Sequence, residues 1–218
     1  MSDILKDCEL TEIANKFMTD KGTKEGECHG YTEFYEPLFQ RYKRDRHVSV
    51  LEVGVFNGAS LKMYDEYFCG DCSIVGIDLE SKKQYDTDNI RTVVANQGSR
   101  KDLEEFVNMC RQEGRTFDII VDDGSHINAH QQLTLYYLSQ LPSKDGIYIV
   151  EDLHTWVWEK DITKTTLYSL AFNKPFAHLK PEESAALHNR IADKTIWCNH
   201  SSKSMYTGDS ITSVLRFK

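Results

Sequence analysis

Short apolar segments alternate with amphipathic segments through the middle of this 218-residue chain. Five apolar runs have the length of strands, at residues 48–53, 74–78, 90–94, 117–122 and 146–151. Helical patterns lie between them. One spans residues 127–141, and a capping-box pattern formed by Ser99 and Asp102 begins another. Strands that are apolar on both faces and separated by helices form parallel sheets, because each helix crosses over one face of the sheet. The alternation therefore predicts an α/β fold with a Rossmann-like, mostly parallel sheet and helices on both faces.

The pattern changes after the fifth predicted strand. Helical stretches at residues 165–172 and 181–193 precede two strand-like runs, at residues 195–198 and 211–217. A turn at residues 207–209 separates these two runs, so they can pair as an antiparallel hairpin. We expect this C-terminal hairpin at one edge of the sheet, which then has seven strands.

The segment before the first strand, residues 1–47, is predicted to be mainly helical. One helical pattern spans residues 10–17 and another spans residues 35–42, with a polar loop between them. We expect this segment to cover the active site. Since no stretch of the chain has the composition of a linker, residues 1–218 are predicted to form a single domain.

The composition argues against several classes of function. The net charge is −8, from 26 basic and 34 acidic residues, whereas nucleic-acid binding rests on a basic surface. The basic cluster at residues 41–46 is expected at a helix end, where it complements the helix dipole. No apolar run approaches the roughly 18 residues that span a bilayer, and the N-terminus does not resemble a signal peptide. We expect a cytoplasmic protein that binds neither nucleic acid nor membranes.

The turn after the first predicted strand has the features of a ligand-binding loop. Glu52 lies in the strand, and Gly54, Asn57 and Gly58 follow in a GxxxG pattern that allows a tight turn and a close approach by a ligand. This spacing differs from the GxGxxG of dinucleotide-binding proteins, and Glu52 suits a ligand with a zwitterionic amino-acid tail. Asp78, which ends the second strand, can accept hydrogen bonds from both ribose hydroxyls. Because ligands bind beyond the carboxyl ends of parallel strands, these residues predict a nucleoside site.

Carboxylates crowd the ends of the fourth and fifth predicted strands. Asp122 and Asp123 end one strand, and Glu151 and Asp152 end the other. This many negative charges at adjacent strand ends are costly unless protons or a cation compensate them. Oxygen ligands favour a hard divalent ion, most naturally Mg2+ (or Mn2+), which can stabilise the alkoxide that develops on an attacking alcohol. His126, three residues beyond Asp123, is placed to act as the general base.

The series Glu52, Gly54, Gly58 and Asp78 resembles the first two motifs of the class I S-adenosylmethionine-dependent methyltransferases. This resemblance covers most of the chain, including the late hairpin, which in that class completes a seven-stranded sheet. It implies that S-adenosyl-L-methionine is the cofactor. It also implies that the segment after the third strand contacts the adenine, where Gln97 is the candidate, although a plain helix cap explains that segment equally well.

A narrower resemblance comes from the Asp-Asp-Gly-Ser-His run at residues 122–126 and the Glu-Asp pair 28 residues after Asp123. Both motifs are similar to those of the metal-dependent sugar O-methyltransferases of macrolide biosynthesis, the mycinamicin and macrocin type. Residues 20–22 and 29–35 also resemble those enzymes, in which this part lies over the cofactor and acceptor. The resemblance implies a catalytic base and a set of metal ligands. The base is His126, and the Mg2+ ligands are Asp123, Glu151 and Asp152.

Some of these side chains have plainer interpretations. Asp122 is assigned to the cofactor site, but a structural role as the cap of the following helix is favoured for it. His126 and His130 are spaced i, i+4 and could instead bind zinc, although carboxylates outnumber imidazoles here. His154 could be a solvated loop residue or a second group at the acceptor site.

Two further motifs carry less weight. Cys69 and Cys72 have CxxC spacing, but no second ligand pair lies at a suitable distance, so a loop entering the second strand explains them better. Trp156 and Trp158 could form an apolar platform for a sugar face or could pack in the core.

Three functions are considered. The first is methyl transfer to a sugar hydroxyl, with a deoxyhexose such as rhamnose, in a glycan or glycoside, as acceptor. The second is methyl transfer to a phenolic or catechol-type small molecule, for which the base is typically lysine rather than histidine. The third is a non-catalytic module that binds a nucleoside or glycan. The partner is expected to be a small-molecule or glycan acceptor, and the chain could form a homo-oligomer.

Overall fold

The computed structural model of the chain describes residues 9–24, 28–43, 47–154, 159–200 and 209–218. Within these ranges, seven strands form one sheet and seven α-helices accompany it. The strands are β1 (Val48–Val53), β2 (Cys72–Asp78), β3 (Ile90–Val94), β4 (Phe117–Asp122), β5 (Pro142–Val150), β6 (Ile191–Asn199) and β7 (Ser210–Phe217). The helices are α1 (Glu9–Phe17), α2 (Tyr31–Phe39), α3 (Ala59–Tyr67), α4 (Arg100–Gln112), α5 (Asn128–Leu138), α6 (Thr166–Phe172) and α7 (Pro181–Arg190).

The strand order in the sheet is β3-β2-β1-β4-β5-β7-β6. The first five strands are parallel to one another, whereas β7 runs antiparallel to both β5 and β6. The predicted Rossmann-like sheet with an antiparallel C-terminal pair is therefore confirmed. The chain reverses direction in the sheet order beside β1, so the ends of β1, β2 and β4 face one shared crevice.

Side chains of β1 alternate between two hydrophobic cores. Val48 and Val50 belong to the core formed with α1, α2 and α3, whereas Leu51 and Val53 belong to the core formed with α4 and α5. Since successive side chains of a strand point to opposite faces, the two cores lie on opposite faces of the sheet. The N-terminal helices thus cover one face, as buried Leu10 shows. No helix of the described residues is both long enough and apolar enough to cross a membrane.

Several predicted boundaries were wrong. Residues 139–141 were assigned to the helix before β5, but α5 ends at Leu138, because Leu141 precedes Pro142 and a residue before proline avoids the helical conformation. Residues 191–193 were assigned to α7 but begin β6, where Ile191 pairs with Phe217 of β7. Helix α2 begins at Tyr31, earlier than predicted.

Some residues singled out in the sequence lie outside the described residues. They are Arg44 and Arg46 of the basic cluster, Trp156 and Trp158, and Thr207 and Gly208 of the predicted turn.

Local signals at two other boundaries were interpreted correctly. Cys69 lies in the loop after α3 and Cys72 begins β2, as a loop entering that strand predicts. Ser99 caps α4, and its hydroxyl oxygen accepts a hydrogen bond from the backbone N–H of Asp102 at 3.3 Å. The Asp102 carboxylate accepts from the backbone N–H of Asn96 at 3.0 Å, so it ties α4 to the end of β3.

The cap gives a first prediction. Ser99→Ala removes the only side-chain acceptor that caps α4 among the described residues, and we expect it to lower the free energy of unfolding by about 1 kcal/mol. Urea denaturation followed by circular dichroism measures this change. Lys101→Ala, at an exposed position in the same helix turn, is the matched control and is expected to change stability by less than about 0.5 kcal/mol. Equal stability of the two variants would show that the cap contributes nothing.

Candidate active site

A cavity of about 550 Å³ lies at the carboxyl ends of β1, β2 and β4. Its position follows from the switch in strand order beside β1. Six of the sequence-predicted site residues line it, namely Gly54, Asn57, Asp78, Gln97, Asp123 and His126. The other five are buried and do not line it, namely Glu52, Gly58, Asp122, Glu151 and Asp152.

The loop between β1 and α3 is held by Asp78. One oxygen of its carboxylate accepts hydrogen bonds from the backbone N–H groups of Val55 at 3.0 Å and Phe56 at 3.2 Å. Gly54 has φ +90°, and a Cβ there would collide with the backbone carbonyl of Asp123. Gly54 is thus required both by its conformation and by the close approach of the β4 end. Asp78 shapes the loop in addition to its predicted contact with ribose, which stays a prediction.

Gln97 braces the loop that follows β4. Its side-chain oxygen accepts from the backbone N–H of Ser125 at 2.5 Å, and its amide nitrogen donates to Asp122 at 3.3 Å. A side chain at position 124 would collide with Gln97, so the glycine there permits this contact. The amide therefore fixes the loop that carries Asp123 and His126. Its predicted contact with adenine is untested.

A buried lysine, Lys21, lies between the predicted cofactor and metal carboxylates. Its ammonium donates to Asp123 and, at 2.9 Å, to Glu151. It also lies 3.8 Å from Glu52, and the side chain is only 1% exposed. The sequence predicted only that this segment lies over the ligands and assigned compensation of the carboxylate charge to a metal. The signal in the sequence that could have indicated this contact is a lysine in a polar loop, because crowded carboxylates attract any cation.

One ammonium does not neutralise these three carboxylates. Burial alone would lower the pKa of Lys21, but Asp123, Glu151 and Glu52 together raise it well above its usual range. Lys21 is therefore charged. Burial nevertheless raises the pKa of Glu52 to about 7, and burial raises the pKa values of Asp123 and Glu151 despite the lysine. The ammonium therefore does not offset the full cost of ionising these carboxyls, and a cluster of oxygen donors suits a hard divalent cation.

The strand ends also bring Asp123, His126 and Asp152 together. One ligand atom from each lies within 4.8 Å of the others, and His126 Nε2 is 3.4 Å from Asp152 Oδ2. His126 and Asp152 both have left-handed backbone conformations, with φ 57° and 54°. Such conformations cost free energy in residues other than glycine and recur at functional sites. Glu151 is not in this group, because its oxygens face Tyr35 and Lys21.

Side chains from residues 28–35 complete the site. Tyr31 donates its hydroxyl to Asp152 at 2.6 Å, and Tyr35 donates to Glu151 at 2.8 Å. His29 stacks on Tyr31 with ring centroids 5.0 Å apart. Burial alone would raise the pKa of Asp152, but His126, His29 and the Tyr31 hydroxyl outweigh it and lower the pKa. Asp152 is therefore an ionised carboxylate held by partners on two sides.

Two plainer interpretations of site residues were wrong. Asp122 does not cap α5, whose capping residue is Ile127. It is buried inside the sheet end instead, where the Tyr148 hydroxyl approaches its carboxylate at 3.5 Å. His154 is not a solvated loop residue, because it is 2% exposed and its ring lies 5.6 Å from that of His29. His130 approaches the Ser125 hydroxyl at 2.9 Å, and no candidate metal group of the described residues joins it to His126.

Comparison with known proteins identifies relatives of the chain. The mycinamicin VI 2''-O-methyltransferase of Micromonospora griseorubida is 35% identical over 157 residues, which are 69% of this chain and 37% of that enzyme. The 8-demethyl-8-alpha-L-rhamnosyl tetracenomycin-C 2'-O-methyltransferase of Streptomyces olivaceus is 35% identical over 137 residues, 60% of this chain and 35% of that enzyme. The chain is a homologue of these sugar O-methyltransferases. The resemblance inferred from its motifs is confirmed.

Other comparisons bear on the fold of this methyltransferase homologue. The structure of the MycE methyltransferase of the mycinamycin biosynthetic pathway, in complex with Mg, SAH and mycinamycin VI, superposes with a TM-score of 0.73 and 24% identity. It is matched over 95% of this chain and 54% of that protein. No model of a protein family matches the chain. The chain spans less than half the length of the two curated relatives.

The burial of Asp122 gives a prediction of pH dependence for this methyltransferase homologue. Burial raises the pKa of Asp122 from its ordinary 3.8 to about 7. A carboxyl with a raised folded-state pKa favours folding fully below its unfolded pKa and loses that contribution as the pH rises through 7. We expect Asp122→Asn to flatten the fall in unfolding free energy between pH 4 and 7, by up to about 1.4 kcal/mol per pH unit. Urea denaturation in EDTA measures the slope, and parallel curves for the two proteins would contradict the assignment.

Proposed function

We propose that this chain is an S-adenosylmethionine-dependent, Mg2+-assisted O-methyltransferase. The acceptor is a sugar hydroxyl, of a deoxyhexose such as rhamnose in a glycan or glycoside. The observation that carries the proposal is the clustering of Asp123, His126 and Asp152 beside a cavity that also reaches Asp78. The names of the homologues support it, since one acts on a rhamnosyl compound.

In this proposal the nucleoside lies along the cavity. Asp78 accepts hydrogen bonds from the ribose hydroxyls and Gln97 lies against the adenine. The backbone at Gly54, Asn57 and Gly58 turns closely around the ligand, which Gly58 supports with its φ of 73°. The buried carboxylate of Glu52 faces the ammonium of the amino-acid tail. Asp122 supports this wall through its contact with Gln97.

The metal ligands are proposed to be Asp123, Glu151 and Asp152. Lys21 contacts both Asp123 and Glu151, and Asp123 has an oxygen within 4.8 Å of an oxygen of Asp152, so Asp123 links the other two carboxylates. When bound, Mg2+ supplies stabilisation of the negative charge that develops on the acceptor hydroxyl. Tyr31 and Tyr35 orient two of these carboxylates by donating hydrogen bonds to them.

His126 is the proposed general base. It removes the proton of the acceptor hydroxyl as the oxygen attacks the methyl group, so the proton moves to the imidazole and the thioether leaves. The Asp152 carboxylate, 3.4 Å from His126 Nε2, stabilises the resulting imidazolium. Holding the acceptor in line with the methyl group gives much of the remaining acceleration.

The other expectations stay predictions. A phenolic acceptor is less favoured, because the base position holds His126 rather than lysine and because one homologue is named for a rhamnosyl compound. A single domain over residues 1–218, formation of a homo-oligomer, cytoplasmic location and the absence of nucleic-acid or membrane partners are all untested.

The cofactor assignment predicts binding of S-adenosylhomocysteine (SAH). Calorimetry is expected to show micromolar binding, and Asp78→Ala is expected to weaken it by about 1–3 kcal/mol because the ribose hydroxyls lose a buried partner. Glu80→Ala, at an exposed position two residues away, is the matched control. Tight binding of NADH without binding of SAH would contradict the cofactor assignment.

The metal assignment predicts that EDTA abolishes turnover without unfolding the protein and that Mg2+ or Mn2+ restores it. Asp123→Ala, Glu151→Ala and Asp152→Ala are each expected to lose activity. Asp122→Ala, which changes the neighbouring carboxylate of the same strand end, is expected to lose less. Methyl-transfer assays on a panel of nucleotide- and glycan-linked deoxysugars provide the readout. Full activity in EDTA would remove the metal from the mechanism.

The base assignment predicts that His126→Ala lowers kcat by roughly 100- to 10,000-fold while SAH binding stays nearly unchanged. His126→Asn is not expected to rescue the rate, because an amide can donate a hydrogen bond to the acceptor but cannot take its proton. Steady-state kinetics with calorimetry on both variants separates the two effects. If His126→Asn kept most of the activity, the imidazole would have only a structural role.

A further inference from the structure

One ammonium contacts both halves of the proposed site. Lys21 Nζ donates to two of the three proposed metal ligands, Asp123 and Glu151, and lies 3.8 Å from Glu52. Glu52 lies in β1, whereas Asp123 and Glu151 directly follow β4 and β5. Lys21 also lines the cavity together with Thr19 and Asp20. No other described lysine or arginine forms an ion pair with any of these carboxylates.

The backbone around Lys21 is fixed by hydrogen bonds, and its side chain lines the cavity. The carbonyl of Lys21 accepts from Thr32 at 3.1 Å, and that of Asp20 accepts from His29 at 2.7 Å. These bonds tie the turn to the start of α2. A lysine side chain carries its charge on a flexible stem of four carbons. Nζ can therefore shift between the metal carboxylates and the cavity while the backbone stays in place.

A divalent ion bound by Asp123 and Glu151 must share their oxygens with this ammonium. Two like charges at about 4 Å repel each other strongly when water is excluded, so Lys21 weakens binding of the ion. A ligand carboxylate in the cavity would draw Nζ away from Asp123 and Glu151. The amino-acid tail of the proposed cofactor carries such a carboxylate.

We propose that Lys21 couples binding of the cofactor to binding of the divalent ion. Without a cofactor carboxylate in the cavity the ammonium stays on Asp123 and Glu151 and competes with the ion. With that carboxylate present it turns toward the cavity, and the ion binds more tightly. This inference rests on the proposed function. Because coupling between two ligands is reciprocal, the ion strengthens cofactor binding by the same factor.

The coupling is tested by titrating Mn2+ or Mg2+ into the wild-type chain by calorimetry. The titration is made alone, with saturating SAH, and with saturating 5'-methylthioadenosine, which has the nucleoside but no amino-acid tail. We expect SAH to tighten ion binding by about tenfold or more and methylthioadenosine to leave it unchanged. Equal effects of the two nucleosides would overturn the role of the tail carboxylate.

Lys21→Gln removes the charge and keeps a hydrogen-bond donor. We expect the variant to bind the ion about tenfold more tightly than wild type in the absence of SAH, and SAH to add no further tightening. Lys16→Gln is the matched control, since Lys16 is exposed and pairs with Glu66 on the surface. A residue that only holds the carboxylates in place would give the opposite sign, so weaker ion binding by Lys21→Gln with an intact SAH effect overturns the proposal. Failure of wild type to bind SAH or the ion at all would instead overturn the proposed function.

Discussion

Buried negative charge at the ends of parallel strands is the constraint on which the site depends. Asp123 and Glu151 follow strands that the fold buries on both faces, so the Glu151 carboxylate is withdrawn from solvent and that of Asp123 largely so. The compensation comes from residues before β1, through the ammonium of Lys21 and the hydroxyl of Tyr35. The helices that cover this face are thus bound to the sheet through the site itself. This N-terminal part must therefore supply charged and polar partners for the site as well as apolar side chains for the core.

The backbone conformation at the strand ends also depends on contacts within the site. Gly54 allows the end of β1 to approach the carbonyl of Asp123, and the left-handed conformation of Asp152 turns the chain immediately after β5. A glycine adopts its positive φ at little cost, but the left-handed conformation of Asp152 is unfavourable in isolation and needs surrounding contacts to persist. For Asp152 those contacts are the hydrogen bond from Tyr31 and the nearby imidazole of His126. A substitution that changes the backbone at these strand ends would therefore also displace the side chains of the site.

The elements that the sequence predicted well are those determined locally. Periodicity identified all seven strands, and the cap at Ser99 is a contact between residues three apart. The contact between Lys21 and Asp123 joins residues 102 apart, and no local pattern records it. Asp122 was misassigned as a cap for a related reason. Its place in sequence before α5 suits a cap, but strand pairing with Val150 buries its side chain in the sheet.

Asp152 joins the two chemical tasks of the proposed site. One oxygen faces the imidazole of His126, and the other accepts the Tyr31 hydroxyl. If Asp152 also binds the metal ion, this one carboxylate fixes the position of the ion relative to the imidazole of His126. An acceptor hydroxyl placed between them would meet both without either moving, which is the geometric condition for efficient proton removal. The low pKa of Asp152 fits that double role, because a protonated carboxyl could neither bind a cation nor stabilise an imidazolium.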